Sequence, residues 1–399
     1  MLRLAEAADG FLARVRLPGG LVSGDQLRAL SQLARELGDG RIELTSRGNV
    51  QLRGLAAANA DRLTDGLWRA GLLPSLSHDL VRNVLASPLA GLDGDGPDLT
   101  GIVRALDAVL CARPRLAELS GRFLFAIDDG RDDVAGLGAD VVATVGRDGA
   151  VVNGLSVRRA DGQGGNVRGM GANFGMPDDL RDGVVAAMLA CAEAFLDLRT
   201  ELGSAAWRIA DLPGAAEHVR AEVATRLGLA VAAGTREPVA GPAARPVGLV
   251  LRHRMRGGEE PSPYVRDQTA ASAVLLAPLG RLTSARVTWV ADQVQEARIT
   301  PWRSVVLPFV PDAAAVLRDA ACLGFGVDDA SPWLRVTACA GRPGCASALA
   351  DVQADAAAFA TRWPGRLVHV SGCGRHCGRP AATEIDVTAT SEGYQIAGA

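Results

Sequence analysis

The chain has 399 residues, 48% hydrophobic, 22% charged and 4% aromatic, with a formal net charge of −3. That length can hold two or three domains with ample cores, and the near-balanced charge gives no general reason to expect nucleic acid or an anionic membrane as a partner. All 42 basic residues are arginine, so no lysine-dependent chemistry is open to this chain. The N-terminal "MLRLAEAADGFLARVRLPGG" lacks a continuous apolar signal region, and no apolar run approaches the ~18–20 residues of a membrane helix. A cytoplasmic protein with reduced thiols is expected.

In chain order, "FLARVRLP" (11–18) reads as a strand leading into a helix that Ser23 can cap. Leu27, Leu30, Leu33 and Leu37 form its apolar stripe, and Gly38 and Gly40 stop it. The strand "RIELT", the turn "SRGN" and the alternating strand "VQLRGL" follow. The pattern returns near residue 273 in "AVLLAPLGRLTSARVTWVADQVQEARITPWRSVVLPFV", so that Thr45 matches Thr300, Val50 matches Val305 and Leu52 matches Leu307. A spacing of 255 residues (300 − 45) is the duplication of a half-protein, since solenoid units run roughly 20–50 residues.

The strand–helix–strand order predicts an α+β, mixed α/β class. The expected organisation is a first ferredoxin-like half-domain over 1–75, a first α/β domain over 76–233, a linker over 234–262, a second half-domain over 263–329 and a second α/β domain over 330–399.

Seven cysteines in a reducing compartment suggest metal or catalysis before disulfides. Cys111, Cys191 and Cys322 sit alone in Ala- and Leu-rich helical stretches and read as small buried hydrophobes. The other four form a pattern: "TACAGRPGCASA" holds Cys339 and Cys345, and "VHVSGCGRHCGRP" holds Cys373 and Cys377. The C-x3-C pair fits structural zinc, whereas C-x5-C is looser than zinc pairs usually are. Glycine-rich loops can also supply the N–H donors that an iron–sulfur cluster gains from, which favours a cluster and leaves zinc as the alternative.

These cysteines, the "IELTSRGNVQLRGL" segment and the duplication together resemble the sulfite and nitrite reductase superfamily over about residues 10 to 390. The resemblance implies that Cys339, Cys345, Cys373 and Cys377 ligate a [4Fe–4S] cluster, with Cys377 bridging to a sirohaem iron where sirohaem is present. It also places Arg47, Arg82 and Arg122 around a tetrapyrrole, with Arg53 a further candidate that reads equally well as a solvated surface charge. Guanidinium groups suit that ligand because they grip carboxylates with paired hydrogen bonds.

The reductases bind and protonate their oxyanion with an Arg/Lys cluster; Arg122 falls at the first of two lysines and Leu124 at the second. A leucine neither holds an anion nor passes a proton. The chain resembles instead the branch of the superfamily in aerobic cobalamin biosynthesis, through "LARVRLPGG", "ITPWRSVVLP" and the "HVSGC" approach to the second cysteine pair. That branch implies an oxidoreductase acting on precorrin-3A with dioxygen and an external electron donor, the cluster feeding electrons to an oxygen-activating mononuclear iron, and Leu124 and Phe125 against the macrocycle. His78, His253 and His376 are candidate ligands of such an iron, each with a structural role as the simpler reading; no catalytic residue is assigned. The alternatives are a sirohaem-dependent sulfite or nitrite reductase and, in another class, a non-catalytic tetrapyrrole or cluster carrier.

Overall fold

The computed structural model describes residues 3–93, 96–146, 149–158, 178–232, 247–250 and 271–398. The first half opens with β1 (Ala5–Ala7), β2 (Gly10–Val15) and β3 (Leu21–Ser23), then α1 (Gly24–Leu37), β4 (Arg41–Leu44), β5 (Val50–Leu55) and α2 (Ala60–Arg69). Ser23 caps α1 as expected: its Oγ accepts from Gln26 N at 3.1 Å while its own N–H donates to the Gln26 side chain at 3.0 Å, a capping box. Leu27, Leu30, Ala34 and Leu37 are buried on one helical face.

Next come β6 (Val84–Ala86), α3 (Thr100–Cys111), β7 (Phe125–Asp128), β8 (Val141–Val145), β9 (Gly149–Val152), β10 (Leu155–Arg158), α4 (Asp178–Glu201), α5 (Ala215–Leu227) and β11 (Ala230–Val231), with the strands joined in one six-stranded sheet. Gly248–Val250, inside the expected linker, is a strand (β12) paired with β13 (Ala271–Leu276). The repeat continues with β14 (Arg281–Thr283), α6 (Ser284–Gln293), β15 (Glu296–Ile299), β16 (Ser304–Val310) and α7 (Ala313–Cys322). The final sheet is β17 (Val336–Ala338), β18 (Val368–Ser371), β19 (Ile385–Thr390) and β20 (Gly393–Ala397), with α8 (Val352–Ala360) packed on it.

The duplication is visible atom by atom. Thr45 N donates to Asn49 O and Thr300 N to Ser304 O, both at 2.9 Å, and the partners Val15–Val50 and Ala13–Leu52 match Leu275–Val305 and Ala273–Leu307. The sequence pattern does not show that the halves exchange strands. β3 completes the second sheet by pairing with β15, and β14 completes the first by pairing with β4. Both five-stranded sheets bury one face in a common core that runs from Ala13, Leu30 and Leu52 to Leu275, Val290 and Leu307. Where the chain turns between β2 and β3, Gly20 has φ +71°, and a Cβ there would lie 2.0 Å from the Ile299 carbonyl. No helix among the described residues is long and apolar enough to cross a membrane.

Candidate functional site

Parallel pairing of β17 with β18, Ala338 opposite Val370, brings Cys339 and the Gly372–Cys373 turn to one sheet edge. Cys339 N donates to Val370 O at 3.0 Å, and Gly372 N donates to Cys339 Sγ at 3.1 Å. Gly372 must be small: a Cβ would lie 2.7 Å from Ala348 Cβ and 3.5 Å from the Cys339 sulfur. In the other loop Cys345 N donates to Gly341 O at 2.8 Å. Cys339, Cys345 and Cys373 are half-buried and Cys377 is exposed.

Among the described residues, these thiols form no group of three ligand atoms within 4.8 Å of one another. Tetrahedral zinc, with sulfurs about 2.3 Å from the metal, would hold them roughly 3.8 Å apart. The Gly372 amide aimed at the Cys339 sulfur is the kind of donor from which an iron–sulfur cluster gains. The remaining cysteines differ in kind. Burial pushes the Cys191 thiol up to about 12 and, with Asp107 adding to the effect, Cys111 up to about 11, so both stay protonated. Cys322, expected to be buried, is exposed at the end of α7.

The four arginines separate. Arg47 leaves the β4–β5 turn half-buried and donates to the Gly121 carbonyl at 3.0 Å and the Arg122 carbonyl at 3.4 Å. Burial, then the cations Arg208, Arg122 and Arg14, depress its pKa, with Asp140 acting the other way. Arg122 is exposed, its guanidinium stacked 4.2 Å over the Trp207 ring.

Arg82 is a correction: it is 3% exposed and spends its fork on Asp107, both bonds at 2.7 Å, with a third bond to Leu72 O at 3.1 Å. These bonds hold helix α3 to the chain before β6 and bury the group away from the surface. Arg53 is a correction too. It is 6% exposed, bonds Asp9 through Nε at 3.0 Å and Nη2 at 2.9 Å, and gives Nη2 to the Gly344 carbonyl at 3.0 Å. Leu124 and Phe125 cannot both face one ring, because neighbours in an extended strand point to opposite faces. Leu124 packs with Leu85, Ala126 and Val134, whereas Phe125 lies in the main core against Phe123.

Sequence reading missed Arg14 and Arg208. Arg14 is exposed on β2 opposite Gln51 and bears electrostatically on Arg47; its alternation with Ala13 and Val15 was the available signal. Arg208 reaches Asp140 at 3.1 Å from 68 residues away, which no local pattern encodes. Gln51, opposite Arg14, and Arg53 share one face of β5, so Arg14 and the contact to the cysteine loop lie on one face of the first sheet.

Of the candidate iron ligands, His78 is otherwise engaged. His78 has Nδ1 against Ser75 and Ser77 at 2.8 and 3.0 Å and Nε2 against Arg113 O at 3.0 Å, a structural histidine. His376 lies in the Cys373–Cys377 turn with φ +47°, its ring 3.5 Å from Ser371 Oγ, and His253 falls outside the described residues. A buried acid group, Asp128, Asp129 and Asp133, gathers at the end of β7. Asp128 accepts four backbone N–H bonds, from residues 130, 132, 134 and 135, Asp129 pairs with Arg131, and Asp133 accepts from Ser87 at 2.5 Å. Those bonds knit a turn.

Residues 4–68 match the nitrite/sulfite reductase ferredoxin-like half domain. The chain is 28% identical over 416 residues to a precorrin-3B synthase from Sinorhizobium sp., covering 98% of this chain and 80% of that protein. It is also 28% identical over 407 residues to a ferredoxin–nitrite reductase from Synechococcus elongatus, covering 94% and 75%. The solved structure of Mycobacterium tuberculosis NirA superposes with a TM-score of 0.67 at 20% identity, over 97% of this chain and 73% of that one. The chain thus has the sulfite and nitrite reductase fold, begins with that family's ferredoxin-like half domain, and over nearly its whole length resembles precorrin-3B synthase.

Proposed function

We propose that the protein is a precorrin-3B synthase, which hydroxylates precorrin-3A at a meso carbon while a ring-A acetate closes to a γ-lactone. One atom of dioxygen enters the product and the other leaves as water, with two electrons from an external donor. Cys339, Cys345, Cys373 and Cys377 would hold a [4Fe–4S] cluster, which supplies one-electron transfer at this site when bound. Arg47, Arg122, Arg14 and Arg208 would take the carboxylates of the tetrapyrrole rim. Asp140, which accepts from Leu124 N and Ile209 N, holds Arg208 in place.

The observation that carries this reading over a reductase is Leu124. It is 4% exposed and packed on Leu85 and Val134, in a chain without lysine, at the position the family resemblance gives to a proton-delivering lysine. An apolar group there favours a macrocycle over a small oxyanion, and the planar Arg122 fork suits a carboxylate of the macrocycle rim. The equal identity to a ferredoxin–nitrite reductase keeps a sirohaem-dependent reductase as the second reading.

The test assays one anaerobic preparation on both substrate classes. With precorrin-3A, a reductant and isotopically labelled dioxygen, the label should enter a hydroxylated lactone, and neither sulfite nor nitrite should be reduced. Sirohaem at about one per chain, with sulfide or ammonia formed and no precorrin turnover, would establish the reductase instead.

A further inference from the structure

We infer that Arg53 and Asp9 form a strut from the first half of the chain that positions the Cys339–Cys345 loop for cluster binding. The inference concerns the thiol centre proposed above, but its geometry stands without it. Arg53 lies on β5 and the loop it touches is 291 residues away, in the last sheet. Its guanidinium is fixed from one side by two bonds to Asp9 and donates from the other to the carbonyl of Gly344, the residue before Cys345. A paired, buried guanidinium is a rigid donor, because the fork leaves little rotamer freedom once both carboxylate bonds are made.

The loop is shaped to receive it. A Cβ on Gly344 would lie 2.6 Å from Arg53 Nη2 and 3.4 Å from Asp9 Oδ2, so only glycine permits this approach without displacing the guanidinium. Cys339 is anchored inside the last sheet through Val370 and Gly372, whereas the Cys345 amide bonds to Gly341 within its own loop. The Arg53 contact joins that loop to the first sheet and fixes Cys345 relative to the arginine face. Arg53 is therefore a positioning residue, and a positive charge on the approach to the thiols, rather than a ligand of the tetrapyrrole.

The test is amide hydrogen exchange of the full chain, with and without iron, beside the rate of iron release to a chelator and the EPR spectrum of the reduced protein. In Arg53→Met, exchange at the Cys345 amide should speed up roughly tenfold to a hundredfold, as expected for losing a charge-assisted bond, while the Cys339 amide is unchanged. Iron release should accelerate by a similar factor and the EPR signal should shift. Arg53→Lys should restore part of each effect, since lysine keeps the charge but not the fork. Gly344→Ala, whose Cβ would push the guanidinium away from the loop, should reproduce the loop effects and decides the matter if Arg53→Met does not fold. If the parent purifies without iron, the cluster assignment fails, yet the exchange rates still decide the strut. Unchanged Cys345 exchange in both Arg53→Met and Gly344→Ala would overturn it, as would weaker tetrapyrrole binding with the loop unperturbed.

Discussion

In the first α/β region, β6 runs parallel to β7 with Ala86 opposite Ile127; in the last, β17 runs parallel to β18 with Ala338 opposite Val370. The next residue is Ser87 in one and Cys339 in the other. Ser87 Oγ accepts the Asp129 amide at 3.2 Å, and Cys339 Sγ accepts the Gly372 amide at 3.1 Å. The backbone device is the same, but one crossing is filled by Asp128, Asp129 and Asp133 and the other leads to thiols. The half-domain sheets diverge in the same way. Arg14 is exposed on the first sheet, whereas its register equivalent Val274 is buried, with Val306, against Leu89 and Leu92. Duplication supplied two platforms, and the first carries polar side chains where the second carries a packed apolar face.

The matched crossings give the largest expected effect. Cys339→Ser should abolish stable iron binding, while Ser87→Ala leaves about four irons and four sulfides per chain, counted after anaerobic purification. Iron retained in Cys339→Ser would break the comparison.

The sheets come next. Val274→Arg places an unpaired charge where the residue is 1% exposed and should cost about 3–5 kcal/mol in urea unfolding. Arg14→Val at the equivalent exposed position should stay within about 0.5 kcal/mol. Comparable costs at both sites would show that the two faces are not distinct.

The acid crossing should carry a pH signature. Burial chiefly, and then Asp128 and Asp129, raise the Asp133 carboxyl to about 7, against the lowering effect of its Ser87 bond. Between the ordinary carboxylate range and pH 7 the unfolded chain has lost this proton and the folded chain keeps it, so stability falls as pH rises through that window. From pH 5 to 8 the parent should lose about 3 kcal/mol relative to Asp133→Asn, measured by urea unfolding at both values. A pH-independent difference would remove the assignment.

The smallest effect separates two arginines once grouped together. Arg47→Ala should weaken tetrapyrrole binding by about 1.5–3 kcal/mol with the melting temperature held, whereas Arg82→Ala should lower stability and leave the affinity of the folded protein alone. Fluorescence titration with a uroporphyrin-type ligand beside a thermal melt distinguishes them, and weaker binding in Arg82→Ala alone would restore it to the pocket.

The α1 cap and the Thr45–Asn49 turn, repeated at Thr300–Ser304, were legible because each is written in a short spacing, Ser23 to Gln26 and Thr45 to Asn49. Pairings between distant segments were not. Arg82 and Arg53 look alike as arginines on a polar strand or turn, and only Asp107 and Asp9 reveal that both are spoken for. The exchanged strands Leu21–Ser23 and Arg281–Thr283 are three residues each, too short for alternation to show a partner. Phe125 was misplaced for a different reason. The strand period that sends it away from Leu124 was readable, but the family resemblance drew both residues to one ring.

The exchange has a consequence for synthesis. The edge of β4 waits for Arg281, 237 residues beyond Leu44 (281 − 44), before its hydrogen bonds can close. At ribosomal rates of about 5–20 residues per second, that is roughly 10–50 seconds with an open strand edge on the nascent chain. Such an edge invites a strand from a neighbouring nascent copy of the same sequence. Dense polysomes therefore favour intermolecular exchange, and slower initiation, which spaces the ribosomes, favours the intramolecular closure seen here.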